Sequence, residues 1–143
     1  MISIQFRKYD FRISKQGDKA YIFDEVRKKE IILTPEEWVR QNILHHLIYD
    51  LGYPKSRIAV EKEFLVNDKK KRFDILVFSK EMQPFLLVEC KAKSIPINEQ
   101  TAQQVIQYNL NYHADFLVLS NGEATFCYDT KSKKMLDEIP MIV

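Results

Sequence analysis

Residues 72–79 read RFDILVFS and residues 84–91 read PFLLVECK. Each is an apolar run of strand length, and each is broken by charge: Asp74 in the first, Glu89 and Lys91 in the second. Ionic groups rarely interrupt such runs without a partner. Side chains alternate across a strand, so Phe85, Leu87, Glu89 and Lys91 share one face, and Arg72, Asp74, Leu76 and Phe78 share one on the neighbouring strand. A hairpin register that sets Asp74 opposite Glu89 brings two carboxylates and an ammonium together. Two carboxylates that close repel, and a hard divalent cation relieves the repulsion; oxygen ligands suit Mg2+ or Mn2+. The backbone carbonyl of Cys90 is a further candidate ligand. Beside such a metal, Lys91 can position an attacking water and offset charge on a phosphate oxygen, a division of labour that suits phosphodiester hydrolysis.

The flanking sequence places these strands. Residues 57–66 have strand periodicity, with Ile58, Val60, Phe64 and Val66 around Glu61 and Glu63, and Asn67-Asp68-Lys69-Lys70 reads as a turn. The simplest arrangement is three consecutive antiparallel strands. Upstream, Thr34-Pro35-Glu36-Glu37 is a helix start: Thr34 caps, Pro35 suits the first helical position, and Glu37 sits where a capping-box carboxylate reaches back to the Thr34 amide. The helix should run to about Leu51, where Gly52 and Pro54 end it. Trp38, Val39, Ile43, Leu44, Leu47, Ile48 and Leu51 make a broad apolar stripe for packing on a sheet.

Downstream, a second helix spans about 98–113, with Asn98 or Thr101 as cap, and leaves Gln104 and Tyr108 off its apolar stripe. A strand at 115–120, a turn at Asn121-Gly122 and a strand at 123–128 follow. A helix between two sheet strands implies a crossover, so 116–119 should lie parallel to 86–90. Residues 1–33 read as a strand-rich lead-in, with short strands near 2–6, 21–23 and 30–33 and a polar break at 15–18. The tail from Lys131 carries no clear pattern.

At 143 residues the chain is the size of one domain, and residues 1–143 are read as one unit: the lead-in 1–33, then a core over 34–128. It is too short for a nuclease joined to a motor. A net charge of +2 and a pI near 8.4 neither demand nor exclude a nucleic-acid partner. The basic clusters at 27–29, 69–72 and 131–134 read by default as solvated turns. Cys90 and Cys127 lie in apolar runs without metal-ligand spacing, and His45, His46 and His113 read as structural. Three glycines leave no room for a phosphate loop or a dinucleotide fingerprint. No apolar run approaches a membrane span, so the expectation is a soluble cytoplasmic protein without a membrane partner.

These residues resemble the PD-(D/E)xK nuclease superfamily, and within it the N-terminal nuclease-like domain of type I restriction enzyme R subunits. The Asp-x14-Glu-x-Lys spacing carries the resemblance, together with TPEEWVRQ followed by LGYP, then KKRFDILVF, LLVECKA, QQVIQYN and LVLSNG, over roughly residues 30–128. Phe73 stands where the superfamily's name has proline. The resemblance implies an α/β domain of restriction-endonuclease-like fold, a mixed central sheet flanked by helices. It implies Asp74 and Glu89 as metal-binding carboxylates and Lys91 as the catalytic lysine. Glu37 matches an acidic position that helps hold the metal or its water, and Gln104 and Tyr108 match the Q-xxx-Y motif. If the domain is a nuclease, the turn Lys69, Lys70, Lys71 and Arg72 would touch phosphates on its way into the Asp74 strand.

The activity implied is Mg-dependent endonucleolytic cleavage of DNA in restriction-modification. The alternatives are an RNA nuclease on the same site, and a non-catalytic nucleic-acid-binding or assembly module on the same fold. Because no motor is present, the expected partners are DNA or RNA, separate restriction or motor subunits, and a second copy of the chain if both strands are cut in concert.

Overall fold

The computed structural model describes every residue except Ser3, Gln5, Lys62, Asn67 and Val143, together with all side chains of the rest but those of Phe64, Val66 and Lys71. Its centre is a strand buried on both faces, β8 (Pro84–Cys90), hydrogen-bonded to β7 (Ile75–Phe78) on one side and to β9 (Phe116–Ser120) on the other. The near-continuous apolar run PFLLVEC suits that position, since both faces of a central strand are covered. β8 and β9 run parallel, as the helix crossover requires, and β7 and β8 run antiparallel.

Three further strands complete this sheet. β4 (Ile58–Val60) closes the edge beyond β7; β10 (Thr125–Asp129) and β11 (Lys134–Leu136) extend the other edge, giving six strands in the order β11-β10-β9-β8-β7-β4. The Asn121-Gly122 turn joins β9 to β10 as expected: Asn121 accepts the Glu123 and Ala124 amides and Gly122 has φ +89°. The tail left unassigned by the sequence supplies β11 and then Ile139, buried in the core. The lead-in forms its own three-stranded antiparallel sheet of β1 (Ile13–Gln16), β2 (Lys19–Asp24) and β3 (Lys29–Ile32). Among the described residues its first strand lies at 13–16, and the strand expected near 2–6 falls in part on Ser3 and Gln5, outside the described residues. The β1–β2 hairpin turns at Gly17-Asp18, inside the expected polar break, with Gly17 at φ +66°, and Ile2 makes a bridge to Thr125.

Helix α1 (Pro35–His45) starts where the sequence predicts, with the Thr34 hydroxyl accepting the Glu37 amide. It passes into a wider π-helical turn over His46–Asp50 before Gly52, at φ +74°, ends it. Val39, Ile43, Leu44 and Leu47 pack against one face of the sheet with Ile75, Val77, Leu86 and Val88. Trp38, read as part of that stripe, is instead 42% exposed, and Arg40 and Gln41 are buried. Helix α2 (Glu99–Asn109), capped by Asn98, packs Ala102 and Ile106 on the other face, against Leu76, Leu87, Leu117 and Leu119.

The strands expected at 57–66 and 72–79 are each broken in two. β5 (Glu63–Val66) and β6 (Lys69–Arg72) form a separate two-stranded ribbon, leaving β4 and β7 in the main sheet. The breaks face each other. Glu61 has φ +49°, a left-handed backbone that stops β4, and its amide donates to the carbonyl of Asp74, which lies in the bend between β6 and β7.

Candidate functional site

The bend is what frees Asp74. Ile75 pairs with Val88 as the last pair of the β7–β8 register, and Asp74 and Glu89 are the next residue beyond it on each side. Because β7 has ended, the Cys90 amide two residues past Val88 is met by a side chain: Asp74 Oδ2 accepts it at 2.8 Å. Asp74 and Glu89 border one cleft of about 120 Å³, with Arg72, Tyr108, Asn109 and Tyr112 on its other walls. That is well below the ~300–1,000 Å³ of organic-ligand pockets, and suits an ion and a few waters better. The Lys91 ammonium lies 3.4 Å from the Glu89 carboxylate. The Tyr112 hydroxyl is held above its ordinary pKa by burial and then by the charge of Glu89.

The other side of Asp74 is an ion network that the sequence did not announce. Arg40, buried on α1, donates to Asp74 Oδ1 from Nη2 at 2.6 Å and from Nε at 3.2 Å. Its Nη1 lies 2.5 Å from Glu37 Oε1, and Nη2 also meets Glu61 at 3.2 Å and Glu36 at 3.3 Å. Glu37 Oε2 in turn accepts from Arg27 at 2.9 Å and from Gln41 at 3.1 Å. Arg27 closes the chain on Asp24, fully buried at the end of β2, at 2.8 Å, and on Glu61 at 3.2 Å. Five carboxylates thus meet two guanidiniums, leaving three negative charges over.

The protonation equilibria follow from this crowding. Burial alone would push Asp24 up, but the Arg27 amide and guanidinium and the Gln41 amide outweigh it and hold the carboxyl below its usual range. Burial would pull Arg40 down, yet its bond to Asp74 and the charges of Asp74, Glu37 and Glu61 hold it firmly protonated. Glu36 goes the other way: burial and then the charge of Asp74 raise it, against the pull of Arg40 and Lys91.

The sequence-predicted residues are distributed as follows. Asp74, Glu89, Tyr108 and Arg72 come together at the cleft, with Lys91 joined to Glu89 at its rim. Gln104 is exposed one turn before Tyr108 and stands outside the lining. Lys69 and Lys70 are exposed on β6, Arg72 pairs with Glu63 at 3.6 Å, and the Lys71 side chain lies outside the described residues. Glu37 turns both oxygens to Arg27 and Arg40, so its carboxylate serves them in place of the expected reach back to the Thr34 amide. Glu36, its neighbour, is the α1 carboxylate that feels Asp74 and Lys91. Among the described residues no group of three or more His, Cys, Asp or Glu side chains is placed to hold a metal.

A mixed α/β sheet with a carboxylate-bearing cleft where its central hairpin bends is the class that fold and site define. The family model of the type I restriction enzyme R protein N terminus matches residues 35–142, and the chain belongs to that family. Its fold matches a fragment described as an HsdR subunit of a type I restriction enzyme from Vibrio vulnificus YJ016, at a TM-score of 0.55 and 18% identity, over 76% of this chain and 24% of that one. The chain therefore spans about a quarter of that structure's length. No curated protein matches it. Among the described residues no helix is long and apolar enough to cross a membrane.

Proposed function

We propose that this chain is a restriction-type nuclease module of the PD-(D/E)xK kind, hydrolysing DNA phosphodiester bonds in the cytoplasm with Mg2+ or Mn2+. One observation carries the reading: Asp74, from the bend before β7, and Glu89, from β8, border a single ion-sized cleft, with Lys91 paired to Glu89. Hard oxygen donors fit the metal, and Mg2+ is commonly held by one or two carboxylates while keeping most of its waters, so the lack of a three-residue cage is compatible with it. Asp74, Glu89 and the Cys90 carbonyl would hold it. When bound, such an ion lowers the pKa of a water and stabilises charge on phosphoryl oxygens.

The chain's own side chains supply the rest. Lys91, at the end of β8, orients the attacking water through its ammonium and offsets charge on the phosphate. Tyr108 and Arg72 border the cleft where a phosphate would enter, and the ribbon residues Lys69, Lys70 and Lys71 meet the flanking backbone; such contacts position DNA without reading its sequence. Gln104 extends the Tyr108 face of α2 toward the same strand. Family membership supports separate restriction or motor subunits as partners, and a second copy of the chain would serve cleavage of both strands.

The test is digestion of plasmid DNA by purified protein with Mg2+ or Mn2+, beside Asp74→Ala and Lys91→Ala. Both variants should lose activity by about a hundredfold or more. Cleavage unchanged in both would sink the assignment, and parallel digestion of labelled RNA decides the substrate. A second reading, a nucleic-acid-binding or assembly module without catalysis, draws on the Arg40 guanidinium already bonded to Asp74. It predicts DNA binding with no cleavage in either metal.

A further inference from the structure

We infer that Arg40 is a positioning residue that sets the direction of the Asp74 carboxylate, and that the N-terminal sheet anchors it through Glu37, Arg27 and Asp24. This rests on the reading of Asp74 as a site carboxylate. Three bonds define the carboxylate plane: Arg40 Nη2 and Nε on Oδ1, and the Cys90 amide on Oδ2. A guanidinium fork fixes orientation as well as charge, which an ammonium at the same place does not. Arg40 cannot turn away freely, because Glu37 holds its other arm, and Glu37 cannot turn away because Arg27 and Gln41 hold its second oxygen.

The far end of the chain lies outside the matched family segment. Asp24 closes β2 and accepts the amides of Val26 and Arg27 as well as the Arg27 guanidinium, so the turn into β3 is folded around the arginine. Residues 35–142 match the family model, whereas Asp24 and Arg27 precede them. The three-stranded sheet is thereby part of the machinery that aims Asp74. A misplacement of about 1 Å in a reacting group costs on the order of a hundredfold in rate, so such an anchor has a measurable task.

The experiment reads Asp74 directly and independently of cleavage. Amide hydrogen exchange is measured by NMR at Cys90, with the amides of Leu87 and Leu119 as references, in the wild type, Arg40→Gln, Arg40→Lys and Arg27→Gln. Loss of a charge-assisted hydrogen bond should speed Cys90 exchange roughly tenfold or more relative to the references in Arg40→Gln. Arg40→Lys should fall between, and Arg27→Gln should shift Cys90 in the same direction by less. In DNA cleavage, Arg40→Gln should lower kcat at least about tenfold with KM within about threefold, and Arg40→Lys should recover part of it.

Cys90 exchange unchanged relative to the references, or speeded equally with them, would overturn the inference, the latter because it marks general destabilisation only. If Arg40→Gln does not fold, Arg40→Lys is judged by the same criteria. If the wild type itself cleaves nothing, the nuclease reading falls, while the Cys90 amide still decides whether Arg40 orients Asp74.

Discussion

Arg40 and Asp74 are bonded at 2.6 Å across the gap between helix α1 and the bend that precedes β7, with the arginine side chain only 5% exposed. A buried cation in this position is worth little as a net stabiliser against a well-packed apolar group, but removing it alone strands its carboxylates. Arg40→Met should therefore destabilise the fold by about 3–5 kcal/mol in urea titrations at pH 7. Part of that loss should return toward pH 4, as the stranded carboxylates take up protons. An equal loss at both pH values would refute the electrostatic origin.

Asp24 should contribute to the acid limb of stability. Its folded pKa is depressed, so its contribution is present above the unfolded value near 3.8 and lost as pH falls through the lower folded value. The stability gap between wild type and Asp24→Asn should be full at pH 7 and shrink below about pH 4. Urea midpoints at pH 7, 5 and 3 measure it; a gap that widens on acidification would contradict the assignment.

Glu36 has the opposite sign. Its folded pKa is raised above 4.5 by burial and by Asp74, so the stability tied to its proton is present below that value and is lost as pH rises through the folded pKa. At neutral pH the charged form is a small liability on a half-exposed side chain. Glu36→Gln should raise the Tm at pH 7, by no more than about 1 kcal/mol equivalent, and give no gain at pH 3. Scanning calorimetry at the two pH values separates this from a simple packing effect.

The ribbon can be tested by salt. If Lys69, Lys70 and Arg72 each neutralise one phosphate, changing all three to alanine should reduce the slope of log K against log salt by about 3 on duplex DNA, without loss of fold. Fluorescence anisotropy at several salt concentrations gives the slope. An unchanged slope would remove the ribbon from the DNA interface.

Much of this architecture was legible because its signals are local. Thr34-Pro35 and Asn98 cap the two helices, Asn121-Gly122 turns the β9–β10 hairpin, and a helix between two apolar runs dictates that β8 and β9 are parallel. The antiparallel pairing of the two apolar runs that carry Asp74 and Glu89 was legible for the same reason. The break at Glu61 and Asp74 was not, because the period-2 pattern continues through both positions while the backbone does not. The ion network was hidden more deeply. Its partners are separated by up to 34 positions, and no periodicity links Arg27 to Glu61 or Arg40 to Asp74. One sign was available: Arg40 precedes Leu44 by four and Leu47 by seven, so helix geometry put it on the buried stripe.

Both thiols of this chain are free and buried, Cys90 on β8 and Cys127 on β10, with β9 between them. Burial and then the charge of Asp74 keep Cys90 protonated far above its usual range, and burial followed by Asp129 pushes Cys127 up to about 12. A thiol reagent therefore finds nothing to react with until the chain opens around one of them, and its rate converts to the free energy of that opening. Since Cys90 sits directly behind the carboxylate that Arg40 holds, the molecule carries an intrinsic stopwatch at its cleft and a second one on β10, with no label engineered in.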